Sequence, residues 1–242
     1  MKTNDIYLCA FPKSGITYLS FLLAAARLHH NRIPMVPTMY NIDYLIIDIH
    51  KMANLVPGDT WKDGFGNFFK THKSHSALPN VVYMLRKPLD TLKSFYHFRR
   101  QLGNADTVQQ FLAGSEGIGP WIKHVRSWLL DNRLASQSIF VTEYETLVAN
   151  PAAELEALAA QFGVEYSAET IAFAVKSAGI ENMRRLENSF VKRNPVYKQF
   201  ALNFVRKTSE RTVDGFTPDM VDLVETHAAP VYAAVKARIA AE

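Results

Sequence analysis

The sequence predicts an α/β fold: a central parallel β-sheet flanked by helices. Three observations point there. Four apolar runs, IYLCAF (6–11), FFKT (68–71), VVYML (81–85) and SIFVT (138–142), are too short for helices and rich in β-branched or aromatic residues. They are continuous rather than alternating, as in strands buried on both faces. Helix-period segments separate them, and strands alternating with helices form a parallel sheet. With 242 residues and 48% hydrophobic content the chain can fill a sizeable core, and 1–242 reads as one domain.

The first strand runs into SGITYLSFLLAAARLHH (14–30), which sets Ile16, Leu19, Leu23 and Ala26 on one helical face. The segment MVPTMYNIDYLIIDIHKMANLVP (35–57), rich in aromatic and aliphatic residues, precedes the second strand. After the third strand, LDTLKSFYHFRRQL (89–102) turns Leu89, Leu92, Phe95 and Tyr96 inward, with Asp90 in the first helical turn, where negative charge is favoured. PWIKHVRSWLL (120–130) places Trp121, Val125 and Trp128 at helical spacing. Beyond the fourth strand, Asn150-Pro151 opens a helix, because Asn is a favoured N-cap and Pro a favoured first helical residue. Thr217-Pro218 repeats the signal before a final helix, which Pro230 is expected to kink or break.

The formal net charge of +4 suits anionic ligands without selecting among them. Cys9 is the sole cysteine, which excludes an internal disulfide and a thiolate metal cluster, and it reads as a small buried side chain. The N-terminus, MKTNDIYLCAF, enters a strand without a signal core, and no apolar run is long enough to span a bilayer. The expectation is a cytoplasmic protein with no stable membrane insertion. No nucleic-acid-binding module is present in the pattern.

Parallel sheets bind ligands beyond the carboxyl ends of their strands. In this chain those positions carry Pro12-Lys13-Ser14-Gly15, Lys70-Thr71-His72, Arg86 and Glu143-Tyr144. The loop PKSGIT opens a helix, whose first N–H groups lack internal partners and whose dipole adds positive potential, so an anion suits Ser14–Thr17. Gly15 permits close approach, Lys13 reaches an oxygen and Thr17 adds a hydroxyl. The triphosphate loop G-x-x-x-x-G-K-[ST] is not satisfied, and no acid ends the strands at 71 or 85 to hold magnesium. Arg86 offers a planar fork matched to phosphate oxygens.

FPKSGITYL resembles the 5′-phosphosulfate loop of the sulfotransferases that use 3′-phosphoadenosine 5′-phosphosulfate (PAPS). RKPLDTLKSFYHF (86–98) resembles their 3′-phosphate motif, with Arg86, Asp90, Ser94 and Tyr96 in place; FFKTH (68–72), TEYETLVANPAAELEALAAQFG (142–163) and FVRK (204–207) resemble further elements in the family's order. The resemblance implies a P-loop-like nucleotide-binding fold and metal-independent sulfonate transfer from PAPS to a hydroxyl acceptor, leaving adenosine 3′,5′-bisphosphate (PAP). It implies His72 as general base, Lys13 on the leaving oxygen and Lys70 on the sulfonate. It assigns cofactor binding to Lys13, Ser14, Gly15, Ile16, Thr17, Tyr18, Arg86, Ser94, Tyr144, Ser177, Arg206 and Lys207. The chain departs from the family pattern at Ile16, where a Thr hydroxyl is usual, at Tyr18, where Trp is usual, and at Thr208, where Gly is common. Residues 184–211 hold eight Lys/Arg against two Glu, and within them Arg206 and Lys207 read as a lid over the 3′-phosphate.

Tyr40, Tyr44 and His97 are candidate walls of an acceptor pocket, with a plain core role for 35–57 equally open. The acceptor is a small-molecule or glycan hydroxyl. His29, His30, His50 and His124 sit in ordinary helical or loop settings, while His75 and His97 lie near the rim. Two other readings stand beside this one: an ATP-dependent small-molecule kinase, and a catalytically degenerate nucleotide-binding partner.

Overall fold

The computed structural model describes residues 4–49, 61–74, 77–131, 137–194 and 215–241. Its sheet has five strands: β1 (Ile6–Ala10), β2 (Ile47–Asp48), β3 (Phe68–Thr71), β4 (Asn80–Leu85) and β5 (Ser138–Glu143). Their order is β2-β3-β1-β4-β5 and every pairing is parallel. The chain leaves β1 toward one edge and returns for β4 on the other side, so the strand order reverses at β1. That is where doubly wound sheets open a ligand crevice.

Alternation along the central strands feeds two cores. Ile6, Leu8, Ala10, Val82 and Met84 face one side, where they pack with α1 (Ile16–His30), α7 (Pro151–Gln161) and α8 (Ala168–Ala178). Tyr7, Cys9, Val81, Tyr83 and Leu85 face the other, with α3 (Pro88–Gln101), α4 (Val108–Ala113), α5 (Ile118–Arg126) and the last helix, α10 (Pro218–Ala241). Both faces are apolar, which is why these strands read as unbroken hydrophobic runs. The shorter helices α2 (Ile42–Leu45), α6 (Tyr144–Ala149) and α9 (Ile180–Arg193) complete the described set.

Three expectations change. The segment 35–57 contains β2, an edge strand too short to show a period. The stretch 120–130 is α5 followed by a π-helical turn, Ser127–Asp131, rather than one α-helix. The final helix runs unbroken from Pro218 to Ala241 through Pro230. A mid-helix Pro costs about 3 kcal/mol, and tertiary contacts on both sides offset it. Val224 and Ala228 are buried before the Pro and Val235 after it, Tyr232 and Lys236 both bond Glu143, and Arg238 donates to the carbonyls of Leu129 and Leu130.

Candidate active site

The rim is assembled by contacts among the carboxyl ends of four strands. β1 ends at Ala10, and the chain turns through Pro12-Lys13-Ser14-Gly15 into α1. Lys13 has φ 69° and Gly15 φ 104°. Left-handed backbone at a lysine is uncommon, and such residues concentrate where the surrounding structure enforces a functional shape. Ser14 donates its N–H to the Phe11 carbonyl at 3.2 Å, closing the turn. Gly15 is the N-cap of α1, with no side-chain cap bond, so the first-turn N–H groups that follow it point out of the helix toward the rim.

Gly15 is required for a second reason. A Cβ there would lie 2.2 Å from Cδ2 of Tyr144, the first residue of α6. The Tyr144 ring thus presses on the loop backbone. The Arg86 guanidinium carbon lies 4.4 Å from the centroid of the same ring, and Arg86 also donates to the Lys13 carbonyl at 3.0 Å. Loop, β4 end and β5 end therefore meet at one point. On the other side, His72 follows β3, and its Nδ1 lies 2.8 Å from the Ala10 carbonyl oxygen. A carbonyl only accepts, so Nδ1 carries a proton, and in the neutral ring the lone pair is then on Nε2. That is the tautomer a general base needs.

Other predicted residues fall variously. The Lys13 ammonium sits 4.3 Å from the centroid of Phe98 on α3. Ser14 is buried, Thr17 is half-buried in the first turn of α1, and Tyr18 is half-buried with its phenol pKa raised by burial and then by Tyr144. Ser94 is buried on α3, and Ser177 is buried near the end of α8, where its carbonyl accepts from Asn182 at 2.6 Å. The Ile16 side chain is buried in the core beneath α1, which leaves its peptide group on the loop side. Helical geometry explains this, because the first-turn N–H groups point along the helix axis while the Ile16 side chain points to the sheet.

Lys70 is 3.3 Å from Asp48, its cross-strand neighbour on β2, and 3.8 Å from Asp43 on α2. Its ammonium is balanced by carboxylates, which the sequence reading did not foresee. Tyr40 and Tyr44 are 52% and 61% exposed, which removes the plain core role for them, and Tyr40 packs edge-on against Phe190 of α9 at 4.8 Å. His97 is half-buried on α3. Arg206, Lys207, Thr208, His50 and His75 lie outside the described residues. Among the described residues no group of three His, Cys, Asp or Glu is arranged to hold a metal ion.

One residue read as ordinary belongs to this region. His124 on α5 is buried, 2.8 Å through Nδ1 from the Tyr83 hydroxyl, and edge-on to Phe11, which immediately precedes the loop. The sequence did carry a signal: 121, 124, 125 and 128 make an i, i+3, i+4, i+7 stripe, and His124 is its one polar member.

Comparison with known proteins decides the family. The model of the sulfotransferase domain matches residues 3–234. The chain belongs to the sulfotransferase domain family. Among its relatives, cytosolic sulfotransferase 17 of Arabidopsis thaliana is 25% identical over 213 residues, 77% of this chain and 61% of that protein. The 3-alpha-hydroxysteroid sulfotransferase of Cavia porcellus is 25% identical over 230 residues, covering 90% and 74%. This sulfotransferase-family chain spans less than two thirds of the length of the plant relatives it matches, 61–66%. In structure it is similar to retinol dehydratase in complex with androsterone and PAP, with TM-score 0.69 at 16% identity over 96% of this chain and 81% of that one. A mouse sulfotransferase complexed with PAP gives TM-score 0.61 at 17% identity, covering 100% and 90%. At these identities the likeness shows the shared fold. No described helix is long and apolar enough to cross a membrane.

Proposed function

We propose that the protein transfers the sulfonate group of PAPS to a hydroxyl acceptor, with residues 1–242 working as one domain. The observation that carries this reading is the meeting of Lys13, Gly15, His72, Arg86 and Tyr144 at one rim. In it, the N–H groups at the start of α1 hold the 5′-phosphosulfate, and Lys13 leaves Phe98 to stabilise the bridging oxygen as charge grows there. Arg86 and Ser94 hold the 3′-phosphate, with Arg206 and Lys207 as further cations for it. Tyr18 stacks on the adenine, and Ser177 lies on the adenine side. PAP is the product, and no metal takes part.

His72 takes the acceptor proton through Nε2 as the oxygen attacks sulfur, while its Nδ1–H stays on Ala10. Lys70 meets the sulfonate by giving up the longer Asp43 contact and keeping Asp48. The acceptor is a small molecule entering past Tyr40, Tyr44 and His97. The relatives' names include flavonol and hydroxysteroid sulfotransferases, which favours polycyclic hydroxyl compounds as first trials.

The test pairs labelled PAPS and a panel of phenols and sterols with calorimetry on PAP. Lys13→Ala and His72→Ala should each lose nearly all turnover, and His72→Ala should bind PAP normally. Failure of His72→Ala to bind PAP would contradict its role as base. A kinase would instead be stabilised by ATP with magnesium and indifferent to PAP. A degenerate nucleotide-binding partner would bind PAP and sulfonate nothing.

A further inference from the structure

The end of β5 is held from both faces of the sheet. Ile139 and Val141 pack in the same core as the last helix, and at the two-residue period of a strand Glu143 continues their face. Two side chains of α10 meet its carboxylate: the Tyr232 hydroxyl donates to Oε2 at 2.5 Å, and the Lys236 ammonium bonds Oε1. Positions 232 and 236 are one helical turn apart and so share a face. On the opposite side of the sheet, Thr142 donates its hydroxyl to Glu154 of α7 at 2.6 Å. The Glu143 side chain is only 15% exposed, and a carboxylate so far removed from water costs free energy unless it is paired. An apolar residue continuing Ile139 and Val141 would fill the same place without that cost. What the carboxylate adds is position.

Glu143 is the last rung of the β4–β5 ladder, paired with Leu85. The residues that follow this rung are Arg86 and Tyr144, and they meet face to face, the guanidinium carbon 4.4 Å from the ring centroid. Cδ2 of the same ring lies 2.2 Å from where a Cβ on Gly15 would stand. Last rungs open most readily, because no further pairing resists. We propose that Glu143 is a positioning residue: Tyr232 and Lys236 of α10 hold its carboxylate, and the rung so fixed sets the Tyr144 ring against Gly15 and Arg86. This rests on the reading of that rim as the nucleotide cradle. Burial pushes the Tyr232 phenol pKa up and Glu143 adds to the rise, so the hydroxyl keeps its proton for the carboxylate. Without the clamp, the first residue of α6 is free to turn away from the loop after β1. Part of the binding free energy then goes into ordering the cradle instead of gripping the ligand.

The experiment uses the full chain with ¹³C at the serine carbonyl and ¹⁵N at glycine. Ser14-Gly15 is the one Ser-Gly pair in the sequence, so this labelling isolates the Gly15 amide signal. Its shift reports the Tyr144 ring current without any ligand. Tyr144→Leu, which removes the ring, marks the far end of the scale. Glu143→Ala should move the Gly15 signal most of the way to that mark, and Tyr232→Phe should move it less in the same direction. Glu143→Gln, whose amide oxygen still accepts from Tyr232, should stay nearer the parent than Glu143→Ala. In calorimetry Glu143→Ala should weaken PAP binding by about tenfold, the low end of what a lost hydrogen bond to a charged group costs. Glu143→Gln should recover most of that loss.

A folded Glu143→Ala protein with the parent Gly15 shift would overturn the proposal. So would a loss of stability in urea with PAP affinity unchanged, which would make the clamp a strut of the fold alone. If Glu143→Ala does not fold, Tyr232→Phe decides, since it removes one hydroxyl: an unmoved Gly15 signal with parent PAP affinity would count against the proposal. Failure of the nucleotide reading looks different, since the parent would then bind no PAP while the Gly15 signal still followed the clamp.

Discussion

Two buried arginines serve opposite ends of this molecule. Arg27, in the last turn of α1, is fully buried with Nε 2.7 Å from Asp63, an NH2 donating to the Gly66 carbonyl at 2.6 Å, and its guanidinium 3.8 Å from the Phe68 ring centroid. Burial lowers its pKa and Asp63 pulls it back up. Arg86, at the other end of the sheet, donates to the Lys13 carbonyl and lies over the Tyr144 ring, contacts that orient its guanidinium. The first arginine clips the 61–66 segment to α1. The second ties the end of β4 to the loop after β1. Burial alone does not distinguish the two arginines; the segment that each one holds does.

Arg27→Ala breaks the comparison most forcefully. It leaves Asp63 buried without its cation, and loss of one member of such a pair costs about 3–5 kcal/mol. Urea unfolding should show that loss, while the folded fraction binds PAP as the parent does. A stability change under 1 kcal/mol would mean that the clip is ornamental.

His124 gives the next effect, through pH. Its folded pKa of about 4 lies below the ordinary 6.5, so the unfolded chain binds the extra proton between those values. Stability from this group is complete above pH 6.5 and is lost as pH falls toward 4, by about 3 kcal/mol at about 1.36 kcal/mol per pKa unit. Denaturation curves across that window should flatten in His124→Phe; an unchanged slope would assign the acid sensitivity elsewhere.

Gly15→Ala meets both a positive φ and the Tyr144 ring, so either the loop or the ring must shift. PAP affinity should fall by about 10²-fold, or about 2.8 kcal/mol, by calorimetry. A twofold change would show that the cradle tolerates a side chain. The smallest effect belongs to Phe98→Ala. Such a cation–π contact is worth about 0.5–1 kcal/mol, and because it holds Lys13 against Phe98, calorimetry should show PAP binding about two- to fivefold more tightly; weaker binding would contradict that role.

Much of this was legible in the residues. The central strands stood out because both faces are buried: Leu8 and Cys9 pack in opposite cores yet are equally apolar. The rim residues followed from asking what comes after each strand. What escaped was set by tertiary contact. Pro230 stays inside a helix because α10 is anchored on both sides of it. Two-residue β2 has no period to read, so Asp48 and its hold on Lys70 were invisible. Ile16 looked like a lost hydroxyl in the ligand site, whereas its side chain belongs to the core. His124 lay on a readable stripe, but a stripe shows that a face is buried and not which loop it touches.

On the proposed reading the rim grips a doubly phosphorylated adenosine at both ends, with Arg86 on the 3′-phosphate. Calorimetry of PAP and of adenosine 5′-phosphate against the parent and Arg86→Ala, in magnesium-free buffer, tests it most directly. Arg86→Ala should lower PAP affinity to that of adenosine 5′-phosphate and leave the monophosphate unchanged. Equal losses for both ligands, or no loss for PAP, would contradict it.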